Sequence, residues 1–251
     1  MTNSFIISSL LMVAAVATAG GQQRSLTRLD TLHVGSAPLS AAYLRNDSSE
    51  SVVLVPDTSA TTRERVIGHL SERRRVLEQG TTALFRINHF SAPGNDVTDS
   101  IMTAAAGLVP IWETSHQTTK LMRLRFDGAH VTGAVTPTGK GSEAVDQQLA
   151  VAPFNSSDVF LLVGSLPLTS QYRALIATYE YESGGLRLDT LSVLGRERLS
   201  IGSTAHDTWV ARVSRGGGSW MKVWIDADSR IALKEEFGSA TRGWTLRLLR
   251  Q

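Results

Sequence analysis

The feature that most constrains this chain is alternation. Through Lys120–Phe126 (KLMRLRF) apolar and basic residues interchange, with Met122, Leu124 and Phe126 on one side and Arg123 and Arg125 on the other. A period of two sends neighbouring side chains to opposite faces of a strand, one buried and one wet. Asp127-Gly128 follows, and the pattern resumes at AHVTGAV, which predicts a tight hairpin at Asp127-Gly128 with the glycine at positive φ. The motif recurs down the chain. Trp209, Ala211 and Val213 alternate with Arg212 and Ser214, and Gly216-Gly217-Gly218 then turns the chain into Trp220–Ile225. Tyr172–Glu182 and Leu186–Leu194 read as strands joined at Ser183-Gly184-Gly185, and Trp244, Leu246 and Leu248 alternate with Thr245 and Arg247. Strands about ten residues apart, with turn chemistry between them, define an all-β, mainly antiparallel body.

Two segments depart from this pattern. Ser156–Leu166 has a serine pair suited to an N-cap, Asp158 in the first turn, and apolar residues at Val159, Leu162, Val163 and Leu166. That spacing predicts one short helix, stopped by Pro167. Thr61–Gln79 fits two structures. As a helix it has Thr61 and Glu64 as a capping box, Gly80 as a C-cap and Val66, Leu70 and Leu77 on one face; as a strand it explains the interior Gly68 and the strand-like partner Thr81–Phe90. Arg45–Ser51 (RNDSSES) reads as a polar loop, and Gly35-Ser36-Ala37-Pro38 breaks the pattern before it. Neither stretch is long enough to separate domains.

The N-terminus reads as an address. Phe5–Ala19 is an apolar run of about 15 residues, which suits an export signal and falls short of the roughly 20 that span a bilayer. Ala17-Thr18-Ala19 offers small residues where a signal peptidase reads, so cleavage is expected between Ala19 and Gly20. The segment before the run lacks Lys and Arg, a departure from the usual signal. The division expected is residues 1–19 as signal, 20–62 as an N-terminal segment of short strands and a polar loop, and 63–251 as the antiparallel body. The mature chain contains no further run able to cross a membrane as a helix. Lysine occurs only at positions 120, 140, 222 and 234 among 25 basic residues, which suggests a GC-rich bacterial source and hence a periplasmic or secreted protein.

Chemistry is hard to find in the sequence. The absence of cysteine excludes disulfides, thiolate metal sites and thiol nucleophiles. A net charge of +2 with no basic stripe speaks against nucleic-acid binding. No serine sits between glycines two residues away on each side, and no HExxH is present. The six histidines are scattered; His89 and His116 lie near strand ends and read as half-exposed sheet residues rather than metal ligands. Gly139-Lys140-Gly141-Ser142 is a turn, lacking the order of a phosphate loop. Glu180 and Glu182 share a strand face and are expected to point together into solvent. Arg73-Arg74-Arg75, between Glu72 and Glu78, is expected to be a charge-compensated solvated face. No catalytic residue, metal or cofactor emerges.

The order of the pieces is more informative. Asp99-Ser100 enters a strand, Leu108-Val109-Pro110 and Trp112 follow, then the hairpin RLRFDGAHVTG (Arg123–Gly133), the helix over Phe154–Pro167, Tyr172, VLGRE (Val193–Glu197) and Trp224-Ile225-Asp226. Over about Arg63 to Arg250 this resembles an uncharacterised family of exported bacterial proteins, a domain of unknown function whose fold is similar to the periplasmic lipoprotein-localisation carriers (LolA/LolB-like). The resemblance implies a curved half-barrel sheet wrapped around one short helix, and it favours strands for Thr61–Gln79. It brings no catalytic residues. Fold analogy does not by itself confer a carrier's role.

The expectation is therefore a non-enzymatic envelope protein. Its concave face would carry Trp112, Met122, Leu124, Phe126, Trp209 and Trp244 and bind an apolar ligand, a lipid or acyl chain, or an envelope partner such as a lipoprotein. Two rivals stand beside it: a structural module in which the same residues fill a core, and a hydrolase with a site assembled from distant residues.

Overall fold

The computed structural model describes residues 29–36, 38–57, 64–79, 81–241 and 243–251. The expected signal and its Ala19–Gly20 cleavage point lie outside these residues. The short strands β1 (Thr31–Leu32) and β10 (Phe154–Asn155) flank a run of long ones: β2 (Asp47–Pro56), β3 (Glu64–Gln79), β4 (Thr81–Ala92), β5 (Asn95–Ala104), β6 (Val109–Gln117), β7 (Lys120–Asp127), β8 (His130–Pro137), β9 (Glu143–Gln148), β11 (Arg173–Glu180), β12 (Gly185–Ile201), β13 (Thr204–Ser214), β14 (Ser219–Asp226), β15 (Ala232–Ser239) and β16 (Gly243–Arg250). They form a single sheet of 16 strands in the order β1-β11-β12-β13-β14-β15-β16-β2-β3-β4-β5-β6-β7-β8-β9, with β10 also on β11. Every long neighbour is antiparallel; β1 and β10 run parallel to β11 at its free edge. The all-β half-barrel class is as the sequence implied. The hydrogen-bonded ladder does not close, yet side chains bridge the gap: the rings of Phe126 on β7 and Tyr179 on β11 meet edge to face, with centroids 5.5 Å apart.

One short helix, α1 (Val159–Ser165), fills one end, preceded by a single 3-10 turn at Ser156–Asp158. Asn155 caps that turn, its Oδ1 accepting from the amide of Ser157 at 2.8 Å. Leu166 leaves the helix in extended conformation, as the following Pro167 requires. Val159, Leu162, Val163 and Leu166 bury against Leu84, Leu108, Ile176, Leu191, Val193, Ala211, Val213, Met221, Val223 and Ile225.

The ambiguous window resolves into β3, a strand from Glu64. Gly68 shows why a side chain is excluded there: a Cβ would sit 2.3 Å from the carbonyl oxygen of Ser91 on β4. The hairpin falls one residue later than expected. Asp127 pairs with His130, so Gly128 and Ala129 are the two loop residues, and Gly128 takes φ 58° at the first of them. One expectation is corrected. Arg45–Ser51 is no loop: β2 begins at Asp47 and joins β16 to β3. Its inward-facing residues Asp47, Ser49 and Ser51 are polar because the face they line is polar.

Candidate functional site

The register defines two inner rows. One runs Asp47–Arg74–Arg86–Ile101–Glu113–Leu124–Gly133–Val145 across β2 to β9, the other Ser49–Glu72–Asn88–Asp99–Ser115–Met122–Val135–Glu143. On β2 to β6, charge faces inward.

Arg86, 1% exposed, is the centre. Its Nη2 donates to Asp158 Oδ1 at 2.7 Å and to the Ser157 carbonyl at 2.7 Å, and Nη1 reaches Glu72 at 3.3 Å. Thr103 Oγ1 donates to the other oxygen of Asp158 at 2.8 Å. Burial opposes the guanidinium's charge, but Asp158 and Glu72 outweigh it and hold the pKa above its ordinary value. Its plane also lies over the Phe160 ring, 5.1 Å from the centroid. Asp158 thus spends its carboxylate on a buried arginine and not on the helix end. Arg74, also buried, pairs with Asp47 and Glu72. Across the lumen Arg187 pairs with Asp189 and Glu180, and Thr178 donates to Asp189.

Other groups carry no such match. Glu113 is buried with only Asn155 Nδ2 at 2.9 Å and Ser157 Oγ at 3.5 Å, and burial, with Asp99 and Asp158 nearby, pushes its pKa up to about 7. Burial likewise raises Asp99. Glu235 makes no ion pair among the described residues; burial and the Glu72 carboxylate raise it to about 7. Its surface is half-buried by area, as befits a group on a cavity wall. Burial, and after it Arg187, lowers the pKa of Arg215, whose nearest carboxylate, Glu180, stands 3.8 Å away. Asn88 Oδ1, Arg215 Nε and the Tyr179 hydroxyl are buried with no hydrogen-bond partner among the described residues.

These groups surround space. A cavity of about 270 Å³ is lined by Leu70, Phe160, Met221, Phe237 and Leu248 together with Glu72, Arg86, Asn88, Arg215 and Glu235; the two kinds are interleaved, Glu235 standing opposite Leu248 across β15 and β16. A second, of about 140 Å³, shares Ser156, Ser157 and Glu180 with it and extends to Asp99, Glu113 and Tyr179. Among the described residues no group of three or more His, Asp or Glu could hold a metal.

The sequence-expected residues distribute differently. Met122, Leu124 and Phe126 do face inward together, packed with Val131, Val135, Val145 and Tyr179. Trp209 faces inward too, but in the core around α1, with the Arg196 guanidinium 4.6 Å from its ring centroid. Trp112 is on the outer face: it pairs with Met102 and Arg125 and touches Phe85, centroids 5.8 Å apart. Strand alternation put it beside Leu124 only if β6 and β7 were in the opposite register. Trp244 pairs with Gly238 in β16; its side chain lies outside what is described. Glu180 and Glu182 part company, because β11 ends at Glu180 and a 3-10 turn follows; Glu180 pairs with Arg187 in the lumen, and Glu182, more exposed, pairs with Lys120 at the rim of the second cavity. The Arg73–Arg75 run also splits, Arg74 turning in to its carboxylates and Arg73 and Arg75 turning out with no ion pair among the described residues. Arg86, Glu113, Arg215 and Glu235 were missed. Asp158 reads as a helix start, and Glu72, Arg74 and Glu180 as surface charges, but nothing local joins them: the partner of Asp158 is 72 residues away in sequence.

Fold and lumen together define an open, barrel-like sheet plugged at one end by a helix and lined with charge at its waist. Within that class the chain belongs to the family described as "Protein of unknown function (DUF3108)", matched over residues 57–242. No protein of curated function matches the chain. Among solved structures, a beta-barrel-like protein of domain of unknown function DUF1849 from Brucella abortus is similar at 6% identity, over 83% of this chain and 96% of that one, with a TM-score of 0.53. That likeness concerns the fold alone. A DUF1329 family protein from Desulfovibrio piger (9% identity, 84% and 85% covered, TM-score 0.30) and a putative exported protein with a YmcC-like fold from Bacteroides fragilis (11%, 82% and 96%, TM-score 0.31) are weaker likenesses. No helix among the described residues is long and apolar enough to cross a membrane.

Proposed function

We propose that this is an exported, non-enzymatic envelope protein that binds an amphiphile in the lumen of its half-barrel. The observation that carries the reading is that apolar side chains and unpartnered polar atoms line one cavity. Leu70, Phe160, Met221, Phe237 and Leu248 suit a hydrocarbon segment, while Arg215 Nε offers a free donor and Asn88 Oδ1 a free acceptor. A buried polar atom without a partner costs about 1–3 kcal/mol, a penalty a ligand headgroup would relieve. The volume lies just under the roughly 300–1,000 Å³ of small-molecule pockets, so the ligand is small or enters in part. The Phe5–Ala19 run supports export to the periplasm or beyond.

Titration with a dansyl-labelled fatty acid tests the reading. The purified protein binds at micromolar concentration, Arg215→Met weakens binding about tenfold through loss of a charge-assisted contact, and Phe237→Trp abolishes it by filling the cavity. Glu235 near the headgroup makes an anionic ligand bind less well as pH rises through about 7, where that carboxyl ionises. No binding at micromolar concentration, or equal binding by both variants, overturns the reading. A filled-core module is favoured by the packed regions, the core around α1 that takes in Trp209 and the cluster around Phe126, and not by the polar waist between them.

A further inference from the structure

The outer face of the same sheet carries a second feature, independent of the lumen. The cross-strand register aligns Arg75–Phe85–Met102–Trp112–Arg125 in one outward row over β3 to β7, and Arg73–Ile87–Ser100–Thr114–Arg123 in the next. Each row begins and ends on an arginine, with apolar or hydroxyl residues between and no carboxylate among them. A bulge between Met102 and Thr103 adds Ile111, 38% exposed, beside Trp112. All four arginines are exposed, and none makes an ion pair among the described residues. A shallow groove of about 490 Å³ runs between Trp112 and the Arg123/Arg125 pair, floored by Gly133 and Ala134.

Four exposed cations around a belt of Phe, Ile, Met and Trp make this sheet face both basic and partly apolar. They match the boundary of an anionic bilayer. Guanidinium groups bind phosphates in bidentate fashion, indole and phenyl rings settle at headgroup depth, and each basic residue near such a surface adds to the attraction. We infer that this face docks the protein on a membrane rich in anionic phospholipid, with Trp112 and Phe85 dipping into the interface and Arg73, Arg75, Arg123 and Arg125 on phosphates. Charge complementarity selects this occupant over an uncharged partner surface.

Vesicle flotation decides it. The protein floats with vesicles of phosphatidylcholine mixed with phosphatidylglycerol, not with phosphatidylcholine alone, and high salt releases it. Arg123→Glu/Arg125→Glu lowers partitioning at least about tenfold, since two attractions become repulsions. Arg73→Glu/Arg75→Glu does the same from the opposite flank, and Arg198→Glu on exposed β12 has no effect. Unchanged thermal melts exclude misfolding, because all these side chains are in solvent. Equal binding to both vesicle types, no flotation, or double variants that float like the wild type would overturn the proposal, as would salt-sensitive binding to an acidic protein without any to vesicles. Arg215→Met leaves flotation intact, so failure here and failure of lumen binding are told apart.

Discussion

Adjacent inward positions of the same strands show two ways of filling a half-barrel. Leu84 on β4 is 2% exposed and packs on α1; two residues along, Arg86 is 1% exposed and holds Asp158 and Glu72. On β3 the neighbours are Val76, against the helix core, and Arg74, in its ion pairs. The helix end is held by dispersion and expelled water, which tolerate any apolar group of the right volume. The waist is held by charges taken out of water, which are stable only as a complete set. The first region is a core. The second keeps space and unmatched groups, which a core would have eliminated.

Removing one member of the set breaks that comparison most sharply. Arg86→Ala leaves Asp158 buried without its cation and Glu72 with Arg74 alone, and is expected to cost about 3–5 kcal/mol in urea unfolding. Arg86→Met/Asp158→Asn removes both charges and recovers at least half of that loss. A double variant as unstable as the single one would show that Arg86 acts through packing on Phe160 and not through charge.

This difference also explains what was legible beforehand. β7 was readable because its inward residues Met122, Leu124 and Phe126 are apolar. β3 was ambiguous because its inward residues Leu70, Glu72, Arg74 and Val76 mix carbon with charge, so the period of two disappears from hydropathy. The first half of β2 reads as a loop, since Asp47, Ser49 and Ser51 mimic loop composition while facing a polar lumen. The short helix and its Pro167 stop were visible. The Arg86–Asp158 contact was not, because no local spacing joins β4 to a turn so far along the chain. Trp112 was misplaced because aromatic character says nothing about which face of a strand looks inward.

Phe126→Ala probes the far end, where Met122, Leu124, Val131, Val135, Val145 and Tyr179 close around the ring. Packing of that kind predicts about 3–4 kcal/mol of destabilisation, a filled-core value. A loss under about 1 kcal/mol would mean the side chain borders space and the binding lumen reaches the barrel edge.

The waist should also answer to pH where the helix end does not. Glu113 and Glu235 sit near 7 folded, against 4.5 for an ordinary glutamate. Between those values the folded state keeps protons that the unfolded chain releases, so stability falls as pH rises from about 4.5 to 7 and stays low above. A loss on the order of a few kcal/mol is expected between pH 5 and pH 8. Thermal melts across that range check the slope, and Glu113→Gln flattens part of it. A melting temperature constant from pH 5 to pH 8 would show both carboxyls well solvated.

Tyr179 stands where the waist meets the packed cluster around Phe126, and it gives the smallest effect and an unusual sign. Its ring belongs to the packed cluster, edge-on to Phe126, and its hydroxyl faces the cavity beside Glu113 with no partner among the described residues. Burial raises that hydroxyl's pKa to about 12, so it stays neutral at any pH the protein meets. Tyr179→Phe keeps the ring contact and deletes the unmatched polar group, so stability is expected to hold or to rise by up to about 1 kcal/mol. A core residue would not allow this, because there a buried tyrosine hydroxyl is bonded and its loss is destabilising. If Tyr179→Phe is destabilised by more than about 1 kcal/mol, the hydroxyl is satisfied in solution and the polar lumen ends short of β11. If it is neutral alone but loses the fatty-acid probe, the unmatched oxygen belongs to the ligand's contacts, and the waist's open groups serve binding.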